Sequence, residues 1–208
     1  MTNPALRLVN PNAVFGGVHR RPPRKQVSTQ VRKHLTEAEI ERVVAAARES
    51  RHGHRDATAI LVAFRHGLRC SELVGLRWEQ INLDAGTALI NRRKNGAPSA
   101  HPLSGTEMRA LRKLQREGGG RSPFVFVSER TTPLAPRSFF DIVDKAARRA
   151  GLEIKVTPHS LRHSTGFKLA NDGRDTRSLA HYLGHKSLNS TAIYTALASD
   201  RFRNWWTD

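Results

Sequence analysis

The sequence predicts a mainly α-helical domain carrying one small three-stranded antiparallel β-sheet, an α+β fold. Three observations predict it. Apolar residues recur at helical spacing through most of the chain, and several of these runs open on a capping residue. One stretch, Ile81 to Leu103, alternates instead and is interrupted by two turn signals. Hydrophobic residues make up 38% of the 208 residues, enough for a substantial core in one large domain or two small ones.

The elements follow in chain order. Thr36-Glu37-Ala38-Glu39 has the form of a capping box, with Ile40, Val43, Val44 and Ala47 then at helical spacing. A second helix is expected from Asp56 to His66, stopped by Gly67, and Ser71 can cap a short third helix through Leu76. Ile81-Asn82-Leu83, a turn at Asp84-Ala85-Gly86, and Thr87 to Arg92 read as a strand pair. Lys94-Asn95-Gly96 provides a second hairpin turn before a third strand ending at Pro102-Leu103. Helices are expected over Ser104–Glu117 and Arg137–Ala150. Thr157-Pro158, a cap followed by proline at the first helical position, starts another that runs to about Asn171. Short helices over Asp175–Leu183 and Ser190–Ala196 close the pattern. No internal repeat is present.

Charge narrows the function classes. Lys plus Arg total 35 against 18 Asp plus Glu, a net charge of +17 that favours a polyanionic partner, nucleic acid first. Residues 1–34 hold Arg7, Arg20, Arg21, Arg24, Lys25, Arg32 and Lys33, four prolines and no acid, and are expected to form a flexible basic arm that contacts DNA. The domain proper is expected over 35–208. The longest apolar run, Ala59 to Phe64, is far short of the ~20 residues a bilayer requires, and the N-terminus lacks a signal-peptide pattern, so no membrane partner and a cytoplasmic, nucleoid-associated location are expected. Cys70 is the only cysteine, which excludes an intrachain disulfide and a cysteine-rich metal site.

Four separated segments hold the polar residues of interest. Gly67-Leu68-Arg69-Cys70-Ser71-Glu72 places an arginine in a tight turn between helices, with Glu72 able to orient it by charge pairing. Arg92-Arg93-Lys94-Asn95-Gly96 places a lysine at a hairpin tip, where Arg93 is the alternative reactive cation and Arg92 and Arg93 are expected DNA contacts. His159-Ser160-Leu161-Arg162-His163 sets His159 and Arg162 on one helix face. Leu183-Gly184-His185 is followed nine residues later by Tyr194. His159 and His163 stand four apart, as in a zinc helix, but the position after the first is Ser160 where that pattern needs Glu, so no metal is expected and His163 reads as structural.

In this order and at these spacings, the motifs resemble those of the tyrosine recombinases, the phage-integrase family, over Leu35 to the C-terminus, that family's catalytic domain. The compact length and the closing stretch Arg201-Phe202 to Trp206 look most like the small bacterial invertases that switch fimbrial genes. The resemblance implies a site-specific recombinase that cuts and rejoins double-stranded DNA without metal, cofactor or ATP. It implies a 3′-phosphotyrosyl intermediate and a free 5′-hydroxyl. Alternatives are a type IB topoisomerase-like relaxing enzyme and a DNA-binding regulator that does not cleave; clustered carboxylates for a metal-dependent nuclease are absent.

The chemistry asked of each residue is separate from the resemblance. A phosphodiester resists attack because its oxygens are negative and its leaving alkoxide is poor. Arg69 and Arg162 carry guanidinium forks that match two phosphate oxygens. Tyr194 supplies the nucleophile, and its phenol, ionising near ~10, needs help to lose its proton. His159 is expected to assist that proton transfer, His185 to hydrogen-bond a phosphate oxygen, and Lys94 to protonate the departing hydroxyl. Glu72 is a support and not a reactant.

Longer family members, by resemblance, carry an additional helical DNA-clamping domain; here the basic arm stands in its place, or accessory DNA-bending proteins compensate. Recombining two duplexes requires four strand cuts, so a homotetramer is expected in the synapse and a monomer or weak oligomer when free. Phe202, Trp205 and Trp206 either pack on the chain's own core or dock into a neighbouring protomer.

Overall fold

The computed structural model describes residues 32, 34–92, 98–118 and 120–197. Thr36 opens the first helix, α1 (Glu37–Arg48), through the expected capping box: the Glu39 N–H donates to Thr36 Oγ1, and the Thr36 N–H donates to Glu39 at 2.8 Å. Contacts of the domain reach back into the segment read as the arm. Arg32 Nη2 donates to both oxygens of Glu39, and the His34 ring stacks on Phe167 with centroids 3.9 Å apart.

The second helix, α2 (Gly53–Arg65), begins three residues before the expected start at Asp56. Asp56 lies buried inside its first turn, where its carboxylate accepts from Ser50 Oγ and Arg55, so it supports the helix start from within. The short α3 (Cys70–Val74) is capped at Arg69 and not at Ser71. The Glu72 carboxylate reaches back to the Arg69 N–H at 2.9 Å, which fixes the helix start two residues before the position a cap at Ser71 would give.

The sheet is three-stranded and antiparallel in the order β1 (Ile81–Asn82), β2 (Thr87–Ile90), β3 (Ser99–Pro102), with Ala88 opposite His101 and Leu89 opposite Ala100. Asn82 Oδ1 accepts from the Asp84 and Ala85 N–H groups and tightens the first turn. The expected second strand ran to Arg92; the ladder ends at Ile90, and Arg92 turns into the interior.

The remaining helices are α4 (Gly105–Gly118), α5 (Pro136–Arg149), α6 (Pro158–Asn171), α7 (Thr176–Leu183) and α8 (Asn189–Leu197). Thr157 caps α6 as expected, with proline at the first helical position, and Asp175 caps α7 by accepting from the Arg177 and Ser178 N–H groups. The described residues bury two apolar clusters. The larger gathers α1, α2, α3, the sheet, α4, α5 and Leu161 of α6 around Ile60, Leu73, Phe126 and Phe139; the smaller gathers Ala170, Leu179, Leu183 and Tyr194. Among the described residues, no helix is long and apolar enough to cross a membrane.

Candidate active site

Three pieces of the fold meet where the two clusters join. The turn between α2 and α3 brings Arg69. The first turns of α6 bring His159, Arg162 and His163. The turn after α7, with α8 behind it, brings His185 and Tyr194.

Arg69 is held by its own helix start. Nη1 donates to Glu72 Oε1 at 2.8 Å and Nη2 to the Gly184 carbonyl at 3.4 Å, while the side chain stays 37% exposed. Burial alone would raise the Glu72 carboxyl. The Arg69 N–H and the nearby charges of Arg92 and Arg69 outweigh it and hold the group below the usual carboxylate range. The expected pairing of Glu72 with Arg69 is thus present in the geometry.

Arg162 is buried. Its two terminal nitrogens donate to the Gly67 and Leu183 carbonyls, so this one side chain ties the α2–α3 turn to the end of α7. Burial, reinforced by Arg69 and Arg92, lowers its pKa to about 10, which leaves it cationic at neutral pH.

His185 is fixed through Nδ1, 2.8 Å from Thr191 Oγ1. Burial and the positive field of Arg162, Arg69 and Arg92 lower its pKa to about 4, so it is neutral at pH 7. His159 is lowered by the same causes, burial first and then Arg162 and Arg69.

Tyr194 is only 2% exposed and lies in the smaller core cluster. Burial pushes its phenol up, while the Arg162 charge pulls it back. Its ring stands against helix α6 at Gly166: a Cβ there would come within 2.7 Å of the tyrosine ring, so only glycine admits this approach. Its hydroxyl partner is His163 and not His159: Tyr194 Oη and His163 Nδ1 are 3.0 Å apart, and with the phenol donating, Nδ1 is the unprotonated nitrogen. His159 stands behind it, edge-on to the His163 ring at 4.2 Å between centroids. The side chain in contact with the tyrosine hydroxyl is thus His163, read from the sequence as structural, while His159, expected to assist proton transfer there, contacts the His163 ring. One turn of helix separates the two histidines, and the sequence alone does not say which of them faces α8.

A second correction concerns Arg92. Expected as a DNA contact, its side chain is fully shielded, and Nη1 donates to Glu72 Oε2 at 2.9 Å. Lys94, Arg93 and the arm residues Arg20, Arg21, Arg24, Lys25 and Lys33 lie outside the described residues; Arg32, also expected on DNA, is paired with Glu39. Sequence reasoning also missed Thr191 and Gly166; the only signals were a hydroxyl three residues before Tyr194 and a glycine inside an otherwise helical run. Among the described residues, no group of three or more His, Cys, Asp or Glu side chains is placed to hold a metal ion.

The chain can be set beside known proteins at this point. The sequence profile of the phage integrase family matches residues 33–201. The chain is 37% identical over 187 residues to the type 1 fimbriae regulatory protein FimB of Escherichia coli (strain K12), an alignment that covers 88% of this chain and 94% of the relative. It is 32% identical over 174 residues to the tyrosine recombinase XerA of Pyrococcus horikoshii, covering 82% of this chain and 59% of the relative. A crystal structure of XerA recombinase superposes with a TM-score of 0.73 at 25% identity, over 83% of this chain and 63% of that one.

Proposed function

The chain belongs to the phage integrase family, the tyrosine recombinases that cut and rejoin DNA at specific sites, and from that membership we propose that Tyr194 is its nucleophile. The observation that carries the assignment is the convergence of a buried tyrosine, two arginines and three histidines from separate segments.

In the proposed step, Tyr194 Oη forms a bond to the scissile phosphorus and the bond from phosphorus to the 5′-oxygen breaks. The phenolic proton passes to His163 Nδ1, with His159 supporting that ring. Arg69, Arg162 and neutral His185 stabilise the charge that develops on the phosphate oxygens. Lys94 donates the proton that the leaving 5′-oxygen takes up. The product is a 3′-phosphotyrosyl bond, and attack by a 5′-hydroxyl reverses the sequence to rejoin a strand, so no ATP is required. The basic residues of the arm neutralise backbone phosphates and position the enzyme without reading sequence.

The finer role is inversion of a DNA segment in the cytoplasm, on the nucleoid, by four protomers that assemble on two duplexes. The fimbriae regulatory name of FimB supports a gene-switching role. The experiment uses a nicked suicide duplex spanning a cleavage site mapped with wild-type protein. Wild type leaves a covalent protein–DNA band on a denaturing gel, and Tyr194→Phe binds the duplex but leaves none. An adduct with Tyr194→Phe removes the assignment.

A further inference from the structure

Arg92 stands at the end of the β2 segment but faces inward. Nη1 donates to Glu72 Oε2 at 2.9 Å and to the Gly67 carbonyl at 3.5 Å; Nη2 donates to the His66 carbonyl at 3.1 Å and to the Tyr182 carbonyl. Its aliphatic stem lies on Gly184, where a Cβ would come within 2.5 Å of Arg92 Cγ and where φ is +65°. Glycine is therefore needed there twice over, for the left-handed turn and for the close approach.

A guanidinium in this position is shut away from DNA. Arg69, its neighbour across Glu72, has a side chain that is 37% exposed; that of Arg92 is 0% exposed. Taking a charge out of water is unfavourable unless its hydrogen bonds are met in full. Here the two terminal nitrogens are met by one carboxylate and by carbonyls of the two turns that present Arg69 and His185, while the buried Nε has no hydrogen-bond partner among the described residues.

We propose that Arg92 is a positioning residue for strand cleavage: it locks the His66–Arg69 turn to the Tyr182–Gly184 turn, so that Arg69 and His185 reach the scissile phosphate together. The proposal rests on the reading that those two residues grip that phosphate. Glu72 is the link to Arg69. One carboxylate oxygen receives Arg69 Nη1 at 2.8 Å; the other receives the Arg69 N–H and Arg92 Nη1, each at 2.9 Å. Without Arg92, Glu72 loses a buried counter-cation and draws harder on Arg69, pulling it back from the phosphate. The His66 and Tyr182 carbonyls lose a shared donor at the same time, and the turn that carries His185 loosens.

The test compares two scissile groups. A methylphosphonate carries a methyl in place of one charged phosphate oxygen and so needs less cationic grip. Arg92→Met and Arg92→Lys are assayed with wild type for single-turnover adduct formation on the mapped suicide duplex, with a phosphodiester or a methylphosphonate at the cut. Duplex affinity and thermal unfolding are measured alongside. On the phosphodiester, Arg92→Met is expected to slow adduct formation about 100-fold, and on the methylphosphonate less than about fivefold, with duplex affinity within about threefold of wild type. Arg92→Lys keeps the charge without the fork and falls between, at about tenfold on the phosphodiester. An equal slowing on both substrates means general loss of structure and overturns the proposal, as does a wild-type rate on the phosphodiester. Should Arg92→Met not fold, the same criterion applies to Arg92→Lys. An adduct formed by Tyr194→Phe would instead overturn the nucleophile assignment, so the two failures are distinguishable.

Discussion

The two buried clusters are built on different terms. In the larger one, α1, α2, α4 and α5 meet through side chains such as Val43, Ile60, Leu111 and Phe139, none of which has a place in the proposed chemistry. In the smaller one, Tyr194 packs with Ala170, Leu179 and Leu183, so the proposed nucleophile is itself a core residue. Between them runs a seam of charged side chains bonded to backbone carbonyls, Arg92 and Arg162 above all. The difference separates two kinds of sensitivity. Damage to the larger cluster alters how much protein is folded, whereas damage to the smaller one alters stability and cleavage together.

The largest expected effect tests the first half of that comparison. Phe139 is fully buried in the larger cluster. Phe139→Ala removes its apolar contacts and leaves a cavity, a loss of about 3–5 kcal/mol in unfolding free energy measured with denaturant. At a temperature where the variant is still folded, adduct formation per folded molecule should match wild type. A fall in rate beyond the loss of folded protein would mean that the larger cluster is not independent of the site.

The next effect acts on the seam. His101 of β3 is stacked on Tyr182 at 4.0 Å, and its Nδ1 lies 3.2 Å from His66 Nδ1. Glu107 lies on the far side of His66, with Oε1 2.9 Å from its Nε2 but off the hydrogen-bond axis. Burial, then the charges of His66, Arg92 and His181, lower the His101 pKa from 6.5 to about 3, against an opposing pull from Glu107. The folded state therefore binds fewer protons than the unfolded chain between those values. The stability contributed by neutral His101 is whole above pH 6.5 and is lost as pH falls towards 3. Acidification from pH 6.5 to 4 should remove on the order of 3 kcal/mol through this group, read as a falling midpoint of thermal unfolding. His101→Gln should flatten that dependence. An unchanged slope would place the acid sensitivity elsewhere, His185 being the next candidate.

Much of the larger cluster was legible in the sequence, because its signals are local. A capping box, a proline at a helix start and apolar residues at every third or fourth position act within one element, and α1, α5 and α6 formed within a residue or so of their expected bounds. Helix α2 began early because Asp56 supports its first turn from inside, a role indistinguishable from a cap in sequence. The seam was legible only in part. Arg69 with Glu72 lies three residues apart and was readable. The Arg92–Glu72 pair spans twenty residues, and the Arg162 bond to Gly67 spans ninety-five. Nothing in the pattern of a basic hairpin says that one of its arginines turns inward. The choice between His159 and His163 depends on how α8 lies against α6, which is set by the fit of Tyr194 onto Gly166.

That fit gives the smallest effect, and the one that most sharpens the comparison. A methyl added at Gly166 would come within 2.8 Å of three ring atoms of Tyr194, closer than carbon atoms in contact tolerate. Helix α6 cannot yield readily, because Arg162 and Thr165 anchor it to the end of α2 and the turn after it through Gly67 O and Phe64 O. The ring must move instead, taking its hydroxyl away from His163. Gly166→Ala should therefore slow adduct formation about tenfold, equivalent to about 1.4 kcal/mol. Overpacking should lower stability by about 1 kcal/mol at the same time. The larger cluster supplies the contrast, since there a change of stability should leave the rate per folded molecule untouched. If Gly166→Ala loses stability but cleaves at the wild-type rate, Tyr194 must leave its pocket before reacting. Its contact with His163 would then belong to a resting state, and the coupling of packing to chemistry in the smaller cluster would be lost.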